Sequence, residues 1–502
     1  MCRPSRSQKR RSQAASPVAP PAAVTRRSSI RGSERVVSAE PTRALERSLP
    51  EAVRGLCRRL RDAGYRSWVV GGCVRDQVLS ELRAAGESGV RNDWDVATNA
   101  LPEEVMRLFR RVIPTGIKHG TVTVMLDGEG YEVTTLRGET TYSDGRRPDS
   151  VYFVDDIVAD LARRDFTINA MAYDPLESSL IDPFDGMDDL RAGVLRAVGN
   201  PGERFAEDGL RVLRAARFAA TLEVEIEPAT ARAIEPSLAS YAKVSPERIR
   251  DEWMKTMKAK RPSRAFEVMK DHGLLAISAP ELLESVDCEQ NRHHGFDVWG
   301  HTMACMNACP PIPVLRVAGL LHDVGKPRSR AFSDKTNDYT FYEHERIGAE
   351  IAEPMLTRLR FSNDERARIV ALVRHHLICY DAAWSDAAVR RWIKRVSPEL
   401  LTDLYELNRA DVLGKGRDAS DDLDRLAALK ERVARLMAAG AAMTTKDLAV
   451  NGHDLMSELG LKAGPDLGKV LVALLDEVIE TPELNRRETL LERARELVTG
   501  GA

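Results

Sequence analysis

The stretch of sequence that decides the fold runs from residue 67 to residue 76 and reads SWVVGGCVRD. Its first four residues, 67–70, are typical of a buried strand, and the residues from Val74 to Ala84 have the spacing of a helix. Between the two lies a pair of glycines, which commonly marks a tight turn. The sequence therefore predicts a strand, a short turn and a helix in direct succession.

The turn at Gly71 and Gly72 has a composition suited to phosphate binding. Glycines let backbone amides approach a phosphate closely, and the N-terminus of the following helix adds a favourable dipole. Arg75 lies in the first turn of that helix and could reach a phosphate oxygen as well. A Gly-Gly pair before a helix is more often an ordinary turn, so this motif alone does not establish a phosphate site.

About twenty residues further on, Asp93 and Asp95 flank Trp94. Alternate residues of a strand point to the same face, so the two carboxylates are predicted to lie side by side. Their repulsion is relieved when they share a divalent cation, and hard oxygen ligands suit Mg²⁺ that carries the phosphates of a nucleotide. An isolated Asp-x-Asp is also compatible with a solvated strand edge.

Outward from these motifs, the rest of the chain separates into a mixed part and a helical part. Residues 44–63 have helical spacing, and residues 120–136 alternate around an Asp127-Gly-Glu-Gly turn, which predicts a hairpin. After about residue 185 strand patterns become scarce and helical periodicity dominates. The predicted fold class is α+β, with a small mixed α/β head followed by an all-helical body.

Taken together, the Gly-Gly turn and the Asp pair resemble the nucleotidyltransferase superfamily that includes DNA polymerase beta. Four further motifs follow in the order found in class II tRNA nucleotidyltransferases, which add C, C and A to tRNA 3′ ends, and in the related bacterial poly(A) polymerases. These motifs are Arg163–Ala170 (RRDFTINA), Asp182–Gly186 (DPFDG), Glu207–Arg211 (EDGLR) and Glu247–Arg250 (ERIR). The resemblance implies a polymerase-beta-like head and metal-dependent nucleotidyl transfer.

The resemblance also assigns roles to the head residues. It implies that Gly71 and Gly72 hold the triphosphate, that Asp93 and Asp95 bind the catalytic Mg²⁺, and that Arg164 contacts the incoming nucleotide. An Arg-Asp pair that merely closes a loop is the alternative for the arginine motif. The partners implied are tRNA, CTP and ATP.

Asp208, Arg211, Arg214 and Arg217 recur every three residues in an Ala/Leu-rich segment, which places the arginines along one helix face. A carboxylate accepts from an exocyclic amine, and a guanidinium donates to a ring nitrogen or carbonyl. A pair of Asp208 and Arg211 could therefore select C and A, as the corresponding motif does in the family. Arg214 and Arg217 would contact the triphosphate or brace that pair. A solvated helix face is the alternative.

Two segments bear on which transferase this is. Thr115–Thr121 (TGIKHGT) and Arg137–Pro148 (RGETTYSDGRRP) resemble the CCA-adding branch, in which a flexible loop at the second position switches addition from C to A. CC-only enzymes shorten that loop. The basic segment that poly(A) polymerases carry near the first stretch is not found. A poly(A) or A-only polymerase of the same fold stays an alternative. Another alternative is an RNA-binding protein that has an inactive head and a domain of the HD phosphohydrolase type.

Nine of the ten histidines follow residue 270. The segments around His301, Leu321–Lys326 (LHDVGK), Glu343–Glu345 (EHE) and the pair at 375–376 resemble the HD phosphohydrolase domain. The resemblance implies a second site with a divalent metal of unknown identity, able to hydrolyse phosphoester ends such as 2′,3′-cyclic phosphates. The implied ligands are His301, His322, Asp323 and Asp411, with His344 and His375 near a second metal or the substrate. An inactive HD fold kept as a helical module is the alternative.

These patterns predict five regions: a disordered basic tail at 1–43, the nucleotidyltransferase head at 44–185, a helical neck with the nucleotide-selecting helix at 186–270, the HD domain at 271–415, and a helical tRNA-binding region at 416–502. The net charge of −2 for the whole chain of 502 residues hides an asymmetry, because residues 1–50 carry eleven Lys/Arg and only three acids. Any nucleic-acid surface on the body must therefore be a local basic patch.

Composition also excludes some classes. Charges interrupt every apolar run well before the ~20 residues that a membrane-spanning helix needs, so a membrane protein is excluded. Seven scattered cysteines without a CxxC pair, and no secretory signal, favour a cytoplasmic protein with reduced thiols.

Overall fold

The computed structural model describes residues 36–37, 43–83, 93–117, 120–139, 151–439 and 442–499. The chain divides into two compact units. The first comprises Met1–Thr141, Pro148–Arg164 and Asn169–Met187, and the second comprises Tyr142–Arg147, Asp165–Ile168 and Asp188–Ala502, so far as these ranges are described.

The described residues of the first unit form one eight-stranded mixed sheet, a separate strand pair and five helices. The strands are β1 Val36–Val37, β2 Ser67–Val70, β3 Asp95–Thr98, β4 Val112–Gly116, β5 Thr121–Leu126, β6 Glu129–Thr135, β7 Arg137–Glu139, β8 Val151–Phe153, β9 Ala172–Asp174 and β10 Ser179–Ile181. The helices are α1 Arg43–Ser48, α2 Glu51–Asp62, α3 Gly72–Leu82, α4 Pro102–Leu108 and α5 Ile157–Ala162. The order in the sheet is β1-β10-β9-β2-β3-β6-β5-β4, and β7 pairs with β8 separately.

The predicted strand at 67–70 forms β2, which lies in the middle of this sheet. All four of its residues are buried, and it pairs antiparallel with β3 and with β9. On the other side of β3, β6 runs parallel to it. The predicted hairpin is β5–β6, whose turn residues Asp127 and Gly128 both have positive φ, as a tight hairpin turn requires.

Two details of the first unit differ from the sequence-based expectation. The single helix predicted at 44–63 is two helices, because Pro50 precedes α2 and its ring and missing N–H are incompatible with a continuous helix. Within the region predicted to be disordered, Val36 and Val37 form β1 and pair with β10, as β-branched residues at a sheet edge can. The rest of residues 1–42 lies outside the described residues.

The second unit is helical, apart from the short strand pairs β11–β12 and β13–β14 in the part of it that the structure describes. The strands are β11 Val194–Leu195, β12 Glu225–Ile226, β13 Ala331–Ser333 and β14 Asp338–Thr340. The helices, beginning with one at the boundary, are α6 Gly186–Ala192, α7 Pro201–Glu207, α8 Leu210–Thr221, α9 Pro228–Arg232, α10 Leu238–Tyr241, α11 Pro246–Thr256, α12 Ser263–Asp271, α13 Leu274–Ser278, α14 Val298–Ala308, α15 Pro313–Leu321, α16 Lys326–Ser329, α17 His344–Arg358, α18 Asn363–His375, α19 Asp386–Val396, α20 Leu401–Gly414, α21 Ser420–Ala438, α22 Gly452–Leu459, α23 Pro465–Glu480 and α24 Arg487–Thr499.

Several helices of the second unit pack in three groups. Helix α8 packs against α11 and α12, while α14, α15, α18 and α20 pack on one another and α17 packs on α18. Helices α22 to α24 surround an apolar cluster of their own, whose members include Leu455, Leu474 and Leu490. Among the described residues, no helix combines the length and the apolar character needed to cross a bilayer.

Candidate functional site

Gly71 lies between β2 and α3 with φ of 85°, in the left-handed region that favours glycine. A Cβ at this position would stand 3.3 Å from Nη1 of Arg164 and 3.6 Å from Oδ2 of Asp95. Gly72 is the first residue of α3, and a Cβ there would stand 3.5 Å from Nη2 of Arg75. The predicted phosphate turn therefore brings a helix N-terminus, a guanidinium and a carboxylate into contact around one glycine.

Three carboxylates meet where β3 begins. Asp95 is the first residue of β3 and Asp93 lies two residues before it, while the parallel register puts Glu132 of β6 beside Asp95. Burial raises the pKa of Asp95, and the charges of Glu132 and Asp93 raise it further against the opposing effect of Arg164, so that it is about 6. Because a divalent cation would relieve this repulsion, the donor set fits the predicted Mg²⁺ site.

Glu132 is absent from the predicted site residues. Alternation along the hairpin assigns its side chain to one face of β6, but nothing local says that β6 pairs in parallel with β3. The signal available in the sequence was a second acidic residue, after Glu129, in a strand predicted by alternation.

Arg75 is buried and held by two neighbours. Its Nε donates to Oδ1 of Asp76 at 2.7 Å, and its Nη1 donates to Oδ1 of Asn169 at 2.7 Å. Asn169 belongs to the predicted arginine motif, so the structure joins the glycine turn to that motif. A direct contact of Arg75 with phosphate stays a prediction.

Arg164 is the cation nearest to the carboxylates. Its Nη1 donates to the carbonyl oxygen of Asn169 at 3.3 Å, and its Nη2 lies 3.4 Å from Oδ2 of Asp160. Burial of Asp160 opposes its charge, but Arg163 and Arg164 outweigh burial and lower the pKa of that carboxyl. The Nε of Arg164 is buried and has no hydrogen-bond partner among the described residues, which is consistent with a side chain that binds a ligand.

In the second unit, Asp208 follows α7 and both of its oxygens bind Arg248. The Nη1–Oδ1 distance is 3.1 Å and the Nη2–Oδ2 distance is 2.6 Å. Arg211, which is predicted to read the base together with Asp208, donates to Glu207 and to the carbonyl oxygen of Arg204. Glu207 ends α7 and Arg211 lies in the first turn of α8, so their ion pair links the two helices, whereas Arg248 approaches Asp208 in bidentate geometry from α11.

Arg214 and Arg217 are also engaged by acids. Arg214 Nε donates to Oδ2 of Asp165 at 2.7 Å, and Arg217 Nε donates to Oε2 of Glu252 at 2.5 Å. Burial opposes the charge on Arg214, but Asp165 and Glu252 outweigh burial and raise its pKa. These contacts tie α8 to Asp165 and to Glu252 of α11, and the predicted roles, contact with the triphosphate or bracing of Asp208 and Arg211, stay predictions.

A second site lies among the helices of the same unit. His301 on α14, His322 after α15 and Asp411 on α20 point one donor atom each into a common space, all within 4.8 Å of one another. The His301 Nε2 atom lies 3.1 Å from Nε2 of His322 and 3.0 Å from Oδ1 of Asp411. The structure thus brings together three of the four predicted ligands.

The fourth predicted ligand, Asp323, joins this group to another. Its Oδ2 lies 3.2 Å from Nε2 of His301 and 3.1 Å from Nε2 of His322. Its Oδ1 faces the other way, 3.4 Å from Nε2 of His344 and 3.7 Å from Nε2 of His376. One buried carboxylate therefore serves two groups of histidines.

The prediction of His375 in this group is wrong in position by one residue. His376 makes the contact with His344, at 3.2 Å between the Nε2 atoms, whereas His375 ends α18. Burial lowers the pKa of His375, and Arg395 and Arg374 lower it further, which shows that it faces cations. Adjacent residues of a helix point in directions about 100° apart, so only one of the two can reach the site.

Three of the histidines are oriented in the same way. The Nδ1 atoms of His322, His344 and His376 each lie 2.7–2.8 Å from the carbonyl oxygen three residues earlier. Donation from Nδ1 leaves the Nε2 lone pair directed into the site, as metal-ligating histidines require. His322 and His376 directly follow α15 and α18, where backbone carbonyls lack helical partners.

The charge balance of this cluster favours a cation. Burial opposes protonation of His301, but its hydrogen bonds to Asp323 and Asp411 outweigh burial and raise its pKa to about 9. Burial lowers the pKa of His376 to about 3, so that ring is neutral and able to donate its lone pair. Metal binding would displace the proton of His301, and its imidazole, the neutral ring of His376 and the carboxylates of Asp323 and Asp411 form a donor set that fits a divalent transition metal.

A cavity of about 330 Å³ opens beside the cluster. Lys326, whose Nζ lies 2.7 Å from Oδ2 of Asp323, lines it together with Lys415 and His294. Cationic side chains next to a metal-binding cluster suit an anionic group such as a phosphate.

Three family models match the chain. The one described as the poly A polymerase head domain covers residues 67–196, the one described as the probable RNA and SrmB-binding site of polymerase A covers 223–285, and the one described as a putative tRNA nucleotidyltransferase domain 2 covers 345–494. None of these three describes an HD domain, so that resemblance stays a prediction.

Similar proteins are named CCA-adding enzymes. The chain is 33% identical over 461 residues to the one from Limosilactobacillus fermentum, covering 89% of this chain and 97% of the relative, and 32% identical over 449 residues to the one from Ligilactobacillus salivarius, covering 88% and 95%. The crystal structure of the Bacillus stearothermophilus CCA-adding enzyme in complex with CTP matches with a TM-score of 0.66 and 28% identity, covering 90% of this chain and 98% of that one.

Replacing Asp95 with asparagine is expected to raise the melting temperature of the metal-free protein by a few degrees at about pH 8. The folded-state pKa of Asp95 is about 6, above its ordinary value, so the wild-type protein loses stability as the pH rises towards 6 and the charge forms. The gap between variant and wild type should therefore shrink at about pH 5. Calorimetry in a chelating buffer measures the two melting temperatures at each pH. Asp93→Asn is the control, and its effect should be smaller because Asp93 is exposed. Equal melting temperatures at both pH values would contradict the burial argument.

Proposed function

The chain belongs to the CCA-adding enzymes, a family of nucleotidyltransferases, and we propose that it adds C, C and A to the 3′ end of tRNA from CTP and ATP with release of pyrophosphate. The observation that carries the proposal is the meeting of Asp95 and Arg164 at Gly71, at the N-terminus of α3. This arrangement combines a carboxylate for a metal, a guanidinium for phosphate and free backbone amides at one point.

The residues of the first unit divide the work. Asp93, Asp95 and Glu132 would hold Mg²⁺, which when bound supplies charge that neutralises the triphosphate and lowers the pKa of the tRNA 3′-hydroxyl. Arg164 and the amides at the start of α3 bind the triphosphate oxygens. Arg75, held by its own partners, keeps the turn in place. The 3′-oxygen attacks the α-phosphorus in line, pyrophosphate leaves, and the fixed cations offset the charge that develops.

Asp208 and Arg211 select the base of the incoming nucleotide. Cytosine and adenine both present an amino donor beside a ring acceptor, which a carboxylate and a guanidinium read together. Arg248 holds the carboxylate of Asp208 in a fixed orientation, and Glu207 does the same for Arg211. Uracil and guanine present a carbonyl where the amine would be, so they meet the carboxylate with a repulsive oxygen.

Two competing functions make different predictions. A poly(A) or A-only polymerase would use ATP alone, and an RNA-binding protein with an inactive head would use no nucleotide. The names of the relatives favour CCA addition, and the intact carboxylates of the first unit argue against an inactive head. Residues 140–150, which include most of the loop predicted to switch from C to A, lie outside the described residues.

The predicted tRNA-binding role of residues 416–502 has weak electrostatic support. Residues 442–499 contain seven Lys/Arg and eleven Asp/Glu, so this part of the chain is acidic. Contact with the tRNA backbone would have to come from local groups of basic side chains.

Purified protein should extend each of three tRNAs, lacking CCA, CA or only A, to the CCA end and no further when CTP and ATP are both supplied. Labelled products on a sequencing gel give the answer, and Asp95→Asn should extend none of them, because it removes a metal-binding charge. Long A tracts would instead identify a poly(A) polymerase. Use of ATP alone, on the tRNA that already ends in CC, would identify an A-only enzyme.

Asp208→Ala is expected to relax base choice more than it weakens triphosphate binding, because it removes the group that reads the amine. Incorporation of U and G should rise at least tenfold relative to C, as loss of one good base-reading contact predicts. Single-turnover assays with each of the four nucleotides measure this ratio. Asp188→Ala, an exposed acid on α6, is the matched control and should leave the ratio unchanged. An equal loss of rate for all four nucleotides would sink the assignment.

We also propose that the helical unit carries an HD-type phosphohydrolase site. One group of ligands, His301, His322 and Asp411, and another, Asp323, His344 and His376, could each hold a divalent cation, which when bound supplies a nucleophilic water and polarises the phosphorus–oxygen bond. The orientation of three imidazoles by backbone carbonyls supports the metal-binding role. Lys326 and His294 would bind the phosphate.

Neighbouring histidines offer a sharp test of this second activity. His376→Ala is expected to abolish metal-dependent hydrolysis of a 2′,3′-cyclic nucleotide, because it removes a ligand, whereas His375→Ala should retain at least half of the wild-type rate. Both variants should still add CCA to tRNA, which controls for folding. Turnover that survives in His376→Ala would contradict the ligand role of this residue, and a wild-type protein without turnover with every divalent metal tried would favour an inactive helical module.

A further inference from the structure

The cavity beside the histidine cluster is lined by two chemically different kinds of side chain. Asn291, His294, Lys326 and Lys415 form a polar and cationic part next to Asp323. Tyr342 and Leu377 line it elsewhere and are both exposed, at 79% and 45%. A cavity lined by cationic groups and by exposed aromatic and aliphatic side chains suits a ligand that carries both an anion and a flat apolar group.

Tyr342 is an unusual residue in this position. Its ring is the most exposed of the large hydrophobic side chains in the described part of the chain, and it makes no ring stacking or cation contact there. Tyr339, the second residue of β14 and part of the same lining, is by contrast already covered by Phe332 and by Arg330. Tyr342 thus presents a free aromatic face to the cavity.

The placement of Tyr342 and Leu377 is tied to the metal-binding cluster. Tyr342 lies two residues before His344, whose Nδ1 is held by the carbonyl oxygen of Phe341. Leu377 directly follows His376, whose Nδ1 is held by the carbonyl oxygen of Val373. The backbone that carries these two side chains is therefore held next to one ligand group. Their distance from that group is set by one or two residues of backbone.

We propose that Tyr342 is the base-stacking residue of this site and that the substrate is a single unstacked nucleotide at an RNA end, a role that rests on the phosphohydrolase activity proposed for the helical unit. A cavity of about 330 Å³ is at the small end for ligand sites and accommodates one nucleotide. The phosphate lies against Lys326 and the cluster, and the base lies on Tyr342 with Leu377 beside it. Stacking accepts any base, so the site reads the presence of a base and not its identity.

The test compares a 2′,3′-cyclic nucleotide with the cyclic phosphate of methyl riboside, which has the same reacting group and no base. Tyr342→Ala should raise KM for the nucleotide about tenfold and change kcat less than twofold, because stacking aids binding and takes no part in bond cleavage. KM for the base-free ester should not change. Tyr342→Phe, which keeps the ring, should restore the wild-type KM. Phe332→Ala, an exposed aromatic outside the cavity lining, is the control.

The outcomes separate the two proposals. If the protein hydrolyses both esters with equal KM and Tyr342→Ala changes neither, the stacking role is overturned and the phosphohydrolase stands. If neither ester is hydrolysed with any divalent metal, the phosphohydrolase fails. In that case, calorimetric titration with 3′-AMP and Mn²⁺ decides the stacking role, because the difference between wild type and Tyr342→Ala reports this cavity alone. Equal binding by the two proteins would overturn it, and binding at least fivefold weaker in the variant would support it.

Discussion

Repulsion among carboxylates around the partly buried Asp95 is the constraint on which the head of this enzyme depends. Asp95 begins a central strand, Glu132 lies beside it on the parallel neighbour, and Asp93 is two residues away. The fold tolerates this arrangement because Arg164 is close by, and Arg164 can approach because Gly71 has no side chain. The same repulsion that raises the pKa of Asp95 creates affinity for a divalent cation, so the local instability and the proposed catalysis have one physical source.

In the second unit the excess charge is positive, because several arginines lie on one helix face. Arg214 and Arg217 are paired with Asp165 and Glu252, and Asp208 is paired with Arg248. Buried or half-buried guanidinium groups bound in this way have few rotamers left, so the groups proposed to read a base are already ordered before it arrives. In the proposed base selection, such rigid pairing would let protein side chains choose between bases without a nucleic-acid template.

The histidine cluster reuses a property of helix ends. Carbonyl oxygens in the last turn of a helix have no helical partner, and a histidine placed just beyond the end can donate its Nδ1 proton to one of them. His322 and His376 both do so, which satisfies the helix and turns Nε2 into the site at the same time. Asp323 then joins two groups of donors because its two oxygens face in opposite directions.

The sequence by itself determined the elements that depend on local pattern: the strand, turn and helix around Gly71, the hairpin at Asp127, and the helical body. Spacing and resemblance also located Asp93, Asp95 and most of the histidine cluster. Tertiary structure alone decided which charges meet. Glu132 lies beside Asp95 because of the register of β6 on β3. Arg248 binds Asp208 because α11 packs on α8. His376, and not His375, contacts His344 because adjacent residues at the end of α18 point in different directions. Contacts of this kind depend on how elements pack, and periodicity along one element carries no information about its neighbour.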